Sequence, residues 1–197
     1  TSQVLCPICK KNPVIIFEGV PIICNTCQEV QNAENRARLG SAKAMALANV
    51  PLKYRSSAVF QFEGSVYLHG PSQSGKTTMA CGAVRWFLER GKSALFISVP
   101  KLLKEIRDSY QNKDEGDVVR KYSEADLLVL DDLGAEKCSE WTVQELYIII
   151  DNRWSQGLPL VVTSNYTLDE LEELVGTRVA ARLRALCEVV ETERREE

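Results

Sequence analysis

Eight consecutive residues, Gly70-Pro71-Ser72-Gln73-Ser74-Gly75-Lys76-Thr77, satisfy G-x-x-x-x-G-K-[ST] at every fixed position. A loop of this type cradles the phosphates of a nucleoside triphosphate. The two glycines let the backbone wrap closely enough for its N–H groups to face phosphate oxygens. Lys76 reaches the β- and γ-phosphates, and the Thr77 hydroxyl is a ligand for Mg²⁺. Thr78 closes the cofactor-binding run. Two carboxylates follow at Asp131 and Asp132, delivered by the apolar run Leu127–Leu130. Asp131 is the natural second ligand of the Mg²⁺ held by Thr77, and Asp132 can polarise an attacking water. A third apolar run, Leu160–Val162, ends in Thr163, Ser164 and Asn165. A polar side chain there can hydrogen-bond the lytic water or the γ-phosphate.

Four of the seven cysteines form a separate constellation, Cys6-x2-Cys9-x14-Cys24-x2-Cys27. Two such knuckles supply four thiolates that can converge tetrahedrally on Zn²⁺. The intervening Val14–Ile23 reads as two strands joined at Glu18-Gly19, the hairpin of a zinc ribbon. Four cysteine ligands leave no open position for substrate, so the metal is expected to be structural. The rival, a disulfide framework, belongs to small secreted domains. Cys81, Cys138 and Cys187 are scattered in apolar or mixed surroundings and are expected to pack.

These groups need a scaffold, and 197 residues suffice for one α/β domain with a small appendage. No run approaches the roughly 18 apolar residues of a membrane span, and no signal segment opens the chain, so a cytoplasmic location is expected. The net charge of −3 is uneven. Residues 1–55 hold seven Lys/Arg against three Glu, or +4, which leaves −7 on the remainder. A basic front on an acidic body points to a partner-facing or nucleic-acid-facing N-terminus. A solvated charged helix explains the same split.

Gln28–Ala48 is polar and Ala-rich and reads as one or two helices, ended by Asn49-Val50-Pro51. From Ser65 onward, strands and helices alternate. Strands are expected at Val66–Leu68, Ala94–Ser98, Leu127–Leu130, Leu160–Thr163 and Glu188–Glu191. Helices are expected at Thr77–Arg90, Pro100–Tyr110, Trp141–Ser155, Leu168–Val175 and Arg178–Leu186, with Asn112–Gly116 as a polar loop tip. This alternation predicts a parallel sheet with helices on both faces and ligands at the strands' C-terminal ends. Three segments follow: a zinc-binding module over 1–30, a helical linker over 31–64, and a P-loop ATPase domain over 65–197.

GPSQSGKT, LLVLDDLGAEK (Leu127–Lys137), VVTSNYTLDEL (Val161–Leu171) and GTRVAARLRAL (Gly176–Leu186) together resemble the DnaC/DnaI helicase-loader branch of AAA+ ATPases. The transposition-helper ATPases of the IstB type share that branch. The resemblance runs from about Ser65 to Glu191, and NVPLKYR (Asn49–Arg55) is similar to the family's linker into the core. It implies an AAA+ core with a five-stranded parallel sheet, Asp131 as the Walker B metal ligand, Asp132 as catalytic base and Asn165 as sensor 1. Arg182 would be the arginine finger completing a neighbouring subunit's site, with Arg178 and Arg184 as nearby alternatives. The zinc module is similar to that of the DnaI type, where it contacts the replicative helicase.

Departures are visible too. Pro51–Gly64 is short enough that a helix usual in such loaders is expected to be missing. The helical lid is expected to be absent or vestigial, with Arg194 or Arg195 the only stand-ins for a sensor 2 arginine. The implied function is ATP-dependent loading of a replicative helicase in DNA replication, by an oligomer that binds and hydrolyses ATP at subunit interfaces. Single-stranded DNA contact is implied by the resemblance alone. Lys92, Lys101, Lys104 and Arg107 are undistinctive, and no aromatic stacking platform is evident in the sequence. The alternatives are a transposition helper with the same chemistry, a small-molecule P-loop kinase, and a degenerate site that binds ATP without turnover.

Overall fold

Alternation within the strands decides the layering. In a computed structural model that describes residues 10, 16–17, 20–21, 41–112, 115–135 and 139–194, the chain divides into two compact units, Thr1–Lys43 and Ala44–Glu197. Residues 44–64, expected as linker, lie in the second unit. In the first unit, β1 (Ile16–Phe17) and β2 (Val20–Pro21) pair antiparallel, with Phe17 opposite Val20. Two strands were expected here, within Val14–Ile23; Glu18 and Gly19, expected to join them, lie outside the described residues. Cys6, Cys9, Cys24 and Cys27 lie outside the described residues.

α1 (41–47) runs across the boundary, and the second unit goes on with a 3₁₀ turn (Leu52–Tyr54), β3 (Ser65–His69), α2 (Lys76–Leu88) and β4 (Ala94–Ser98). Next come α3 (Val99–Asn112), α4 (Glu115–Glu124), β5 (Leu127–Leu133), α5 (Glu140–Gln156), β6 (Leu160–Ser164), α6 (Leu168–Leu186) and β7 (Cys187–Glu191). The five strands β3–β7 form one parallel sheet in the order β4-β5-β6-β3-β7, the AAA+ P-loop ATPase arrangement. Val66 and Leu68 of β3, Leu127 and Val129 of β5, and Val161 of β6 pack with α2 and with Met45, Ala48 and Val50. Tyr67, Leu128, Leu130, Leu160 and Val162 point the other way, into the layer built by α3, α4, α5 and α6. Successive residues on opposite faces and buried on both is what a central parallel strand requires.

All five strands expected from Ser65 onward are present, Ala94–Ser98 with the expected bounds and the others extended by one to three residues. One element was not anticipated. The loop tip expected at Asn112–Gly116 is shorter than that: α3 runs through Asn112 and α4 starts at Glu115, a helix missed because its apolar content is only Val118, Val119 and Tyr122. Those three share one helical face, and Tyr122 is fully buried. α6 is two helical pieces, as expected, broken at Gly176 (φ 80°, ψ 160°). Between Tyr54 and Ser65 there is no helix. The chain instead lies over α2 at Gly82, where a Cβ would stand 2.2 Å from the Ala58 carbonyl oxygen. Phe62 then stacks near Phe87, with ring centroids 6.0 Å apart, and meets Trp86 at 5.8 Å.

Candidate nucleotide site

The P-loop leaves β3 and enters α2 at the sheet's C-terminal edge. Gly75, the N-cap of α2, has φ 92°, a conformation glycine adopts without penalty. Gly70 is required for a second reason: with φ 141°, its missing Cβ would lie 2.1 Å from the Thr192 carbonyl oxygen. The chain beyond β7 crosses the loop at this point. Thr192 donates its N–H to the His69 carbonyl (2.7 Å) and its hydroxyl to the same oxygen (2.9 Å). The Ser74 hydroxyl joins it at 2.6 Å. Arg194 reaches the Ser72 carbonyl at 3.5 Å.

Lys76 is almost fully buried. Its ammonium donates to the carbonyls of Gly70 (2.8 Å) and Pro71 (2.7 Å) and to Ser74 Oγ (3.3 Å), which uses all three donors. Burial holds its pKa below the usual lysine range, opposed by the charges of Asp132 and Asp131.

Asp131 is the meeting point of three elements. Its Oδ1 accepts from Thr77 Oγ1 on α2 (3.0 Å) and from Thr163 Oγ1 on β6 (2.7 Å). The Thr163 hydroxyl in turn accepts the Asp132 N–H at 2.9 Å. A β-bulge explains how two consecutive acids reach one site. Leu130 pairs with Val162 and Leu133 with Ser164, so Asp131 and Asp132 together stand opposite Thr163 alone. Asp132 takes up the extra residue with φ 62°. Desolvation is the main influence on Asp131 and raises its pKa, with the Thr163 and Thr77 hydrogen bonds opposing it.

These residues line one cleft of about 390 Å³, with Ser72, Gln73, Ser74, Gly75, Lys76, Thr77, Thr78, Asp131, Asp132 and Asn165 on its wall. Gly70 and Pro71 contribute the carbonyls that hold Lys76. Arg182 does not line this cleft; it lies on α6, ion-paired to Asp151 of α5 at 2.7 Å. Three wall or lip residues do more than their sequence suggested. Thr163 was visible as a strand-terminal threonine, and its position opposite the bulge gives it two partners. Tyr54 also lines the cleft, though the motif around it read only as a linker. Thr192 had no signal at all, because what matters is a fold contact 118 residues from Ser74.

The hydroxyl of Thr77 beside the Asp131 carboxylate is an all-oxygen pair suited to a hard divalent cation. Cys81 and Cys187 are buried, and burial pushes each thiol up to about 12, which leaves them protonated packing groups. Cys138 lies outside the described residues. Among the described residues, no helix is long and apolar enough to cross a membrane.

A family model described as IstB-like ATP binding protein matches residues 51–195. The replicative helicase loader DnaC of Escherichia coli K12 is 30% identical over 131 residues, which is 64% of this chain and 54% of that protein. A putative ATP-binding protein in an insertion sequence of Mycobacterium tuberculosis is 32% identical over 101 residues, 51% of this chain and 40% of its own length. Among solved structures, a crystal structure of DnaI superposes with a TM-score of 0.62 at 26% identity, covering 77% of this chain and 84% of that one. The chain spans about half the length of the DnaC it matches.

Proposed function

The chain belongs to the IstB-like ATP-binding protein family, and from that premise we propose that it is an ATP-hydrolysing helicase loader acting in DNA replication. The convergence of Lys76, Thr77, both acids of the bulge and Asn165 on one cleft carries the ATP-hydrolysing part of this reading, and the similarity to the loader DnaC supports the client. In this reading Lys76 exchanges its loop carbonyls for the β- and γ-phosphates and orients them. Thr77 and Asp131 would hold Mg²⁺, which when bound neutralises charge on the phosphates. Asp132 accepts the proton of the attacking water, and Asn165 fixes that water or the γ-phosphate. Arg182 completes the site of a neighbouring copy, so ATP favours assembly and hydrolysis favours release. A finger supplied in trans is worth about 10³–10⁵ in rate in related P-loop enzymes, so an isolated subunit turns over slowly.

Contact with single-stranded DNA is part of the proposal. Lys101, Lys104 and Arg107 line one groove of about 470 Å³ beginning at the end of β4. Beside it, Arg107 lies 5.4 Å from the Trp141 ring, and Trp141 packs edge-on to Tyr110, which is 41% exposed. Bases and aromatics together are what sequence-neutral strand binding uses.

The test is retention of the cell's replicative helicase on the immobilised protein, with and without a non-hydrolysable ATP analogue. Nucleotide-dependent retention is expected. No retention in either condition, alongside normal ATP hydrolysis, removes the loader reading and favours a transposase as client.

Cys6, Cys9, Cys24 and Cys27 are proposed to hold a structural zinc on the hairpin formed by β1 and β2. Elemental analysis should find about one zinc per chain, lost in Cys24→Ser, while ATP hydrolysis persists and helicase retention falls. A protein purified without a chelator that carries no stoichiometric zinc contradicts this assignment.

A further inference from the structure

Three arginines cluster on the second piece of α6, and their surroundings differ. Arg184 is consumed: it donates to Glu172 and Asp169, each at 2.6 Å, and to the Leu168 carbonyl at 3.3 Å. Arg178 is exposed on the wall of a groove. Arg182 is held from its flank. Its Nε faces Asp151 Oδ1 at 2.7 Å, its guanidinium carbon lies 4.1 Å from the Trp154 ring centroid, and Tyr147 adds a hydrogen bond. A guanidinium has five N–H donors, so these contacts leave most of its terminal fork available. Tyr147, Asp151 and Trp154 are spaced i, i+4, i+7, which places them in one stripe along α5. Next to the stripe, a groove of about 500 Å³ is lined by Tyr147, Arg178, Ala181 and Arg182.

We propose that Asp151 and Trp154 are positioning residues that hold the Arg182 guanidinium edge-on to α5, with its fork directed outward, ready for the triphosphate of a neighbouring copy. This inference rests on the subunit-shared site proposed above. Stability gives only a modest reason for such a contact, because a half-buried ion pair at the surface contributes little to folding. Its value lies in order. A long arginine side chain free to rotate must be fixed each time it meets a phosphate, and the Asp151 carboxylate with the Trp154 face removes that freedom in advance. Misplacement of a catalytic contact by about 1 Å costs on the order of 10²-fold in rate.

Mixed assemblies separate the donor of the finger from the owner of the nucleotide. Lys76→Ala subunits donate a finger but have no working cleft, and Arg182→Ala subunits keep a complete cleft but donate no finger. Mixing the two should restore ATP turnover that neither shows alone. Adding Asp151→Asn or Trp154→Leu to the Lys76→Ala donor should lower the restored turnover by about 10- to 100-fold, with the KM for ATP unchanged. The same change in the Arg182→Ala partner should have no effect. Full rescue by the altered donor overturns the proposal, and so does an equal loss from either side, which indicates a merely structural role. If the simple mixture shows no rescue, the shared-site reading itself has failed, and this inference fails with it.

Discussion

Asp131→Asn is expected to stop ATP turnover while leaving the nucleotide-free protein as stable as the parent, or more so. Burial is the main reason that the folded-state pKa of Asp131 stands above that of the unfolded chain. For a carboxyl shifted in this direction, the stability it contributes is complete below the unfolded pKa and is lost as pH rises through the folded one. Once pH has risen through the folded value, the ionised side chain opposes folding. Asparagine is neutral and nearly isosteric, and its Oδ1 still accepts the hydroxyls of Thr77 and Thr163. Without nucleotide, the melting temperature of the variant should equal or exceed that of the parent at pH 8. The advantage should shrink as pH falls into the carboxylate range. Turnover measured as phosphate release should fall by about 10²-fold or more, since a metal ligand carries several kcal/mol of transition-state stabilisation. Added Mg-ATP should raise the melting temperature of the parent and not that of the variant. A marked drop in the variant's melting temperature at pH 8 without nucleotide refutes this account of Asp131.

Arg153→Met should be the most destabilising single substitution in the ATPase unit. Arg153 is fully buried on α5, and burial lowers its pKa to about 10. Its Nη1 donates to the carbonyls of Tyr122 (3.0 Å), Ser123 (3.2 Å) and Ala125 (2.8 Å), and its Nη2 to that of Pro159 (2.6 Å). The first two are carbonyls of the last turn of α4, which have no partner within the helix. One guanidinium thus caps α4 and ties it to the chain entering β6. Methionine fills most of the volume but leaves buried acceptors unpaired. The expected loss is about 3–5 kcal/mol, or roughly 10 °C or more in melting temperature for a domain of this size. Lys is not a substitute, because a single ammonium does not span this fan of carbonyls. A denaturant titration showing a loss below about 1 kcal/mol for Arg153→Met contradicts the capping role.

Legibility followed the range of the interactions. The P-loop and the acids of Leu127–Asp132 are local patterns whose chemistry depends on neighbours in sequence, and the sheet that carries them follows from runs of apolar residues. α4 was hidden because three apolar residues in ten give little periodic signal until α3 and α5 supply a surface. Arg153 drew no role within the helix expected at Trp141–Ser155, since nothing near it in sequence says that four carbonyls wait for it. Thr163 and Asp132 were visible as polar residues at strand ends, whereas the bulge that couples them is a property of two paired strands. Gly70 was assigned to phosphate approach, and its neighbour Thr192 adds a steric reason for glycine that only the assembled sheet reveals.

The contact of Thr192 with the loop also sets a condition on synthesis. β3 lies between β6 and β7, so the strand that presents the P-loop gains both neighbours only after most of the domain has been made. Parallel pairings of such sequence separation are slow to form. A nascent chain that has emerged only as far as β6 would own every residue of the Walker motifs, yet the His69 carbonyl and the Ser74 hydroxyl would still lack the partner that fixes the loop. The fixed shape of the P-loop therefore arrives late in translation, as a property of the finished sheet.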